Sequence, residues 1–302
     1  MTPTRVRTSR ASRRGSLTWR SAPPRVGAVI LMGLAGVSCA GAEGRPADEA
    51  AASDEVAMTE DERVMTADEG VLVELLAAGE AVFGIFSGDH TAEGGRAMAA
   101  HPETDFVFYS LESGPFDIPA METYVAALDD ASGEAGPPPI ALRIPPVHAD
   151  PAAARERVAE GLAAGVASIV FPHVVAREDA EVAVDAMGPE LWPGNPDGSL
   201  VAMLIVEDRE GIANVRDIVS TPGVSVVFAG PGDLRRAYEG VMEAVETAIQ
   251  TVLAGCTQFD VPCGITAGVD DIAERLEQGF KVIIVTEPEA LAVGLEAAGR
   301  ME

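Results

Sequence analysis

Residues 201–233 read VAMLIVEDREGIANVRDIVSTPGVSVVFAGPGD. The stretch opens on an apolar run, Val201 to Val206, that ends in the carboxylate of Glu207. A segment with helical period follows from Gly211 to Ser220. A second apolar run, Val224–Ala229, then leads through Gly230, Pro231 and Gly232 to Asp233. Strands that are apolar on both faces and joined by a helix belong in a parallel sheet covered on both sides. Such a unit sets its strand ends side by side, so Glu207 and Asp233 would meet at one edge. Two carboxylates there would hold a hard divalent cation beside an oxygen-rich substrate. A single carboxylate after a strand also serves as the cap of the next helix, so the reading draws its weight from the rest of the chain.

Working outward, the same alternation recurs. Apolar runs occupy Val82–Phe86, Phe106–Leu111, Ile140–Ile144, Ser168–Phe171, Cys263–Thr266 and Lys281–Val285. Between them, helical period marks Ala152–Ala164, Arg177–Met187, Tyr238–Leu253 and Val269–Gln278, and Gly70–Ala78 reads as a leading helix. Eight strand–helix units predict an α/β fold of the closed (β/α)8 TIM-barrel type. An open doubly wound sheet is the alternative, although no Gly-x-Gly-x-x-Gly turn follows the first strand as a dinucleotide-binding version requires. The composition agrees: 47% hydrophobic but only 5% aromatic residues suits Ala/Val/Leu/Ile packing.

In a barrel, chemistry collects where the strands end. Those positions hold Ser87 to His90, Glu112-Ser113-Gly114-Pro115, Arg143, Pro172-His173, Glu207-Asp208 and Gly230 to Asp233. Arg143 in an apolar strand is costly unless it meets a carboxylate or an anion. A structural ion pair with Glu112 or Glu207 is its plain alternative. His90, His148 and His173 read first as surface or scaffold histidines, and His101 as a loop residue.

Charge divides the chain. Of 21 Lys and Arg, seven lie before residue 43, at Arg5, Arg7, Arg10, Arg13, Arg14, Arg20 and Arg25, with no acid among them. The remainder carries 14 basic against all 48 acidic residues. A body this acidic repels phosphate backbones, which excludes nucleic acid as the expected partner. The Arg-rich start runs into the apolar core Val26–Val37 and small residues through Ala42, the pattern of an export signal. Arg13-Arg14 resembles a twin-arginine motif, and Gly36-Val37-Ser38-Cys39 a lipoprotein box with Cys39 as the lipid anchor. The expected location is therefore exported, periplasmic or lipid-anchored; a start codon set too far upstream of a cytoplasmic enzyme is the alternative. Residues 43–70 read as a disordered acidic tether, leaving the barrel to 71–302. Cys256 and Cys263 read as two reduced buried thiols, with a disulfide left open.

The ordered motifs Asp105-Phe106-Val107-Phe108, Leu111-Glu112-x-Gly114-Pro115, Leu142-Arg143-Ile144-Pro145, Val170-Phe171-Pro172-His173-Val174, Val206-Glu207 and Phe228-Ala229-Gly230-Pro231-Gly232-Asp233-Leu234 resemble the HpcH/HpaI aldolase/citrate lyase family over residues 71–299. The resemblance implies trimers or hexamers and a divalent ion (Mg, Mn or Co) on Glu207 and Asp233. It implies a small-molecule 2-oxo acid held by the Gly230-Pro231-Gly232 backbone near Ser113, and Arg143 stabilising a pyruvate enolate. The implied activity is a metal-dependent carbon–carbon lyase, of aldolase or decarboxylase type. A citrate-lyase-like enzyme for acyl thioesters and a catalytically silent binding protein are the alternatives.

Four departures stand out. Ser113 occupies the place of the family's His in Glu-His-Gly. Leu162-Ala163-Ala164-Gly165-Val166 lacks the Asp that supports that His. Ile205 replaces a Gln, and the segment after the fourth strand is short. Retro-aldol cleavage needs a base, whereas decarboxylation of a 2-oxo acid does not, so decarboxylation or enolisation is expected to survive better. His90, on the neighbouring strand end, is the candidate replacement base.

Overall fold

The computed structural model describes residues 70–301. The export signal, the tether and Cys39 lie outside the described residues. Nine parallel strands form the sheet: β1 (Val82–Phe86), β2 (Phe106–Ser110), β3 (Ile140–Arg143), β4 (Ser168–Phe171), β5 (Leu191–Trp192), β6 (Leu200–Val206), β7 (Val226–Ala229), β8 (Cys263–Ala267) and β9 (Val282–Val285). Their order is β4-β3-β2-β1-β9-β8-β7-β6, and β4 pairs with β6 to close an eight-stranded barrel. The two-residue β5 pairs with the start of β6 from outside the ring. This is the predicted (β/α)8 barrel, and each predicted strand has its counterpart within two residues.

Eleven α-helices accompany the strands among the described residues: α1 (Val71–Ala77), α2 (Ala92–Met98), α3 (Ile118–Ser132), α4 (Pro151–Ala163), α5 (Arg177–Met187), α6 (Arg209–Ala213), α7 (Val215–Val219), α8 (Pro231–Ala237), α9 (Met242–Phe259), α10 (Ile272–Gln278) and α11 (Glu289–Ala297). Two predicted helices differ from the observed ones. The 211–220 segment splits into α6 and α7 at Asn214, whose side-chain amide donates to the Val175 carbonyl at 2.9 Å. The 238–253 segment starts later, at Met242. Glu239 and Gly240 take positive φ and separate α9 from α8.

The two-residue period of a strand sorts side chains into an outer and an inner core. Outward residues such as Val107, Tyr109, Leu142, Phe171, Leu204 and Val227 pack under the helices. Inward residues Phe106, Phe108, Ala141, Val170, Met203, Ile205, Phe228 and Ile284 fill the barrel, and Leu72, Val73 and Leu76 of α1 join them. Phe106 fits because β1 carries no side chain at Gly84; a Cβ there would clash with the edge of the phenyl ring. Cys256 of α9 and Cys263 of β8 form a disulfide with Cα atoms 5.6 Å apart. This corrects the expectation of reduced thiols: the turn after α9 brings two buried cysteines within bonding reach, which their spacing alone does not reveal.

Candidate active site

The inward register carries on past the strands. Ala141 lies inside the barrel, so Arg143 two residues on faces its mouth. Ile205 does the same for Glu207, and Phe108 for Ser110. Ser110 and Arg143 are paired neighbours across β2 and β3. Arg143 Nε donates to Ser110 Oγ at 2.9 Å, its Nη2 lies 3.0 Å from Glu112 Oε2, and the guanidinium rests over the Phe108 ring. The carboxylate that Arg143 needs is thus Glu112.

Glu207 is almost wholly buried, 3% exposed. Burial pushes its carboxyl well above the usual range. His173 opposes that rise, and the charge of Asp233 adds to it. Asp233, the second predicted carboxylate, lies in the first turn of α8 and is not part of the ligand cluster that gathers around Glu207. Asp233 itself pairs with Arg236, one turn further along α8. Gly230 packs directly on Glu207: a Cβ at 230 would lie 2.8 Å from the Glu207 Cβ and closer still to its carboxylate. Only glycine leaves room for the carboxylate there. Pro231 and Gly232 open α8 beside it, and a Cβ at Gly232 would meet nothing within 4 Å.

His173 joins the two halves. It stands just beyond β4 with φ of +53°, a left-handed conformation that costs a non-glycine residue energy. Its backbone N–H donates to Glu207 Oε1 at 3.1 Å, which holds that turn in place. Its ring lies with Nδ1 2.9 Å from Asp208 Oδ2 and Nε2 3.4 Å from Glu112 Oε1. The hydrogen bond to Glu112 is the largest influence raising the imidazole to about 9, with Asp208 and Glu207 adding to it against desolvation. Reciprocally, His173 and then Arg143 hold the Glu112 carboxyl below its usual range. Ligand atoms of Glu112, His173 and Glu207 lie within 4.8 Å of one another. Carboxylate oxygens and one imidazole nitrogen so placed fit a divalent cation.

The structure therefore links Glu207 and Arg143 at one rim through His173 and Glu112, with Asp233 in the first turn of α8. It adds His173, Glu112 and Asp208, to which the sequence reading gave no part in the chemistry. The available signal was their position: each is the polar residue at or next to a strand end. Ser113 is exposed in the turn after Glu112. His90 stands apart in its contacts. Its Nε2 lies 2.9 Å from Ser87 Oγ and its ring stacks on Tyr109, an outer-layer residue, at 3.9 Å. Burial lowers its pKa, against the opposing charge of Asp89. His148 Nδ1 sits 3.0 Å from the His173 carbonyl and braces that turn.

Known proteins show the family to which this barrel is similar. Residues 83–285 match the family model described as HpcH/HpaI aldolase/citrate lyase. A 2-dehydro-3,6-dideoxy-6-sulfogluconate aldolase of Pseudomonas putida is 28% identical over 44% of this chain and 55% of its own length. A 5-keto-4-deoxy-D-glucarate aldolase of Citrobacter koseri is 34% identical over 29% of this chain and 36% of its own. The matches thus span about half or less of these curated relatives. Among solved structures, a HpcH/HpaI aldolase/citrate lyase family protein from Burkholderia cenocepacia superposes with a TM-score of 0.61 at 23% identity, covering 76% of this chain and 96% of its own. An HpcH/HpaI aldolase from Desulfitobacterium hafniense gives 0.58 at 17% identity, covering 76% and 97%. With most of the barrel matched to the family model, the chain belongs to the HpcH/HpaI aldolase/citrate lyase family.

Proposed function

We propose that this protein is a metal-dependent carbon–carbon lyase acting on a small 2-oxo acid through a pyruvate enolate. The observation that carries the reading is buried Glu207 at the barrel mouth, bonded to the His173 N–H and joined through His173 and Glu112 to Arg143. Glu207 and Asp233 would hold the divalent ion (Mg, Mn or Co). When bound, that ion supplies Lewis-acid polarisation of the substrate's oxygens.

The protein's own groups do the rest. The backbone of Gly230, Pro231 and Gly232, with Ser113 from the turn after Glu112, would position the substrate carboxylate. Arg143, held in orientation by Ser110 and Glu112, directs its positive charge at the oxygen that becomes anionic. With oxaloacetate, the bond between C3 and the distal carboxylate breaks and CO2 leaves. The electron pair becomes the enolate of pyruvate, and C3 then takes a proton from solvent. No base is needed to begin this reaction, which suits a site with Ser113 where the family's His is expected. Aldol cleavage does need one, and His90 is the candidate. Desolvation favours its neutral, proton-accepting form.

The test follows pyruvate release from oxaloacetate by metal-stripped protein, with and without Mn²⁺, against a free-metal blank. Metal-dependent turnover abolished by Glu207→Ala supports the reading; a folded protein that binds Mn²⁺ without turnover contradicts it. His90→Ala with unchanged aldol turnover would remove His90 from the mechanism. The reading also includes action outside the cytoplasm, which the Cys256–Cys263 disulfide supports because disulfides persist in oxidising compartments.

A further inference from the structure

We propose that the ion at this site is bound through nitrogen as well as oxygen, with His173 Nε2 and Glu112 Oε1 joining Glu207, and that the protein therefore selects Co²⁺ or Zn²⁺ over Mg²⁺. The proposal rests on the metal-dependent reading above and extends its donor set beyond Glu207 and Asp233.

Ring orientation comes first. Asp208 Oδ2, 2.9 Å from Nδ1, accepts the proton of that nitrogen. Nε2 is thereby turned toward Glu112, and an ion bound there takes the place of its proton. A carboxylate behind a ligating histidine is the common way of fixing ring orientation at a metal. Distance comes second. Nε2 lies 3.4 Å from Glu112 Oε1. Two donors each about 2.1 Å from one tetrahedral ion are separated by about 3.4 Å. Glu207 completes the group: one ligand atom from each of Glu112, His173 and Glu207 lies within 4.8 Å of the other two, and Glu207 Oε1 is 3.6 Å from His173 Nδ1.

The backbone is built for this placement. The chain holds His173 at positive φ, with Glu207 accepting its N–H and His148 bracing its carbonyl. Glu112 uses Oε2 on Arg143 and keeps Oε1 toward His173, so it can serve both. Mg²⁺ favours an octahedron of oxygens and gives up water reluctantly, whereas imidazole suits Zn²⁺ and Co²⁺.

The test is calorimetric titration of Mg²⁺, Co²⁺ and Zn²⁺ into the metal-stripped full chain, with the visible spectrum of the Co²⁺ form recorded alongside. Wild type is expected to bind Co²⁺ and Zn²⁺ at least about tenfold more tightly than Mg²⁺. His173→Gly tolerates the positive φ and carries no ligating atom. It is expected to lose about ten- to a hundredfold in Co²⁺ affinity, to change the Co²⁺ spectrum and to leave Mg²⁺ affinity nearly unaltered. His173→Ala, which also carries no ligating side-chain atom, gives the same readout should the glycine variant fold poorly by circular dichroism. Wild-type Co²⁺ affinity and an unchanged spectrum in the folded variant would overturn the proposal. If Glu207→Ala abolishes binding in that case, the underlying metal reading survives. If it also binds as wild type, both fall.

Discussion

Tyr109 is fully buried under α2 and α3, and its hydroxyl meets no hydrogen-bond partner among the described residues. A buried, unpaired hydroxyl is a cost that Phe does not carry. Tyr109→Phe is expected to raise stability by about 1 kcal/mol in urea denaturation; a loss of stability would reveal a partner. Burial, assisted by Asp117, also pushes this phenol from 10.0 up to about 12. The folded state then keeps its proton where the unfolded chain has lost it. Stability from this group is full below about pH 10 and declines as pH rises toward 12. A urea series across that range should show the decline lessened in Tyr109→Phe. Arg143 and Glu207 were legible at this scale, because strand period alone points them into the mouth. His173 was not: a histidine after a proline reads as scaffold. Its recruitment depends on a left-handed turn held by a carboxylate 34 positions away.

Elements show where pattern yields to backbone. Apolar runs mark strands well, since a parallel strand covered on both faces admits little else. Helix joints are harder. The helical period from 238 onward conceals the break at Glu239 and Gly240, both at positive φ. Gly240 signals such a turn, but Glu239 does not. Glu239→Gly is expected to gain about 1 kcal/mol by removing a left-handed side chain; its 3.8 Å contact with Arg209 is too exposed to offset this. Unchanged or lower stability by thermal melting would contradict that account. Between α9 and α10, Arg275 and Glu246 make a two-pronged pair at 2.7 and 2.8 Å. The Arg275 hydrogen bond holds the Glu246 carboxyl below its ordinary value. Its contribution is present at neutral pH and is lost as pH falls through that lowered value. Glu246→Gln should therefore flatten the acid limb of stability against pH.

At the scale of the whole barrel, Arg300 follows α11 and returns to the first two strands. Its Nη1 and Nη2 lie 2.6 and 2.8 Å from the Asp105 carboxylate, and Nη1 also donates to the Ala81 carbonyl. Asp105 additionally accepts the Phe83 N–H. Removing the cation leaves a buried carboxylate short of its partner, so Arg300→Ala is expected to cost about 3 kcal/mol in chemical denaturation. No sequence period links positions 195 apart, so this clasp was invisible before the fold was known. The barrel was legible because each of its eight strands repeats one local pattern. Its chemistry was half legible, because a mouth gathers residues from many strands. A mouth that stabilises a pyruvate enolate, with Glu207 as metal ligand, would exchange the methyl protons of pyruvate with solvent. The most direct measurement is loss of the pyruvate methyl signal in D2O by proton NMR, with metal-loaded wild type beside Glu207→Ala. Metal-dependent exchange in wild type and none above the free-metal blank in the variant is the predicted result. Equal exchange in both, or none in a wild-type protein that demonstrably holds its metal, would contradict it.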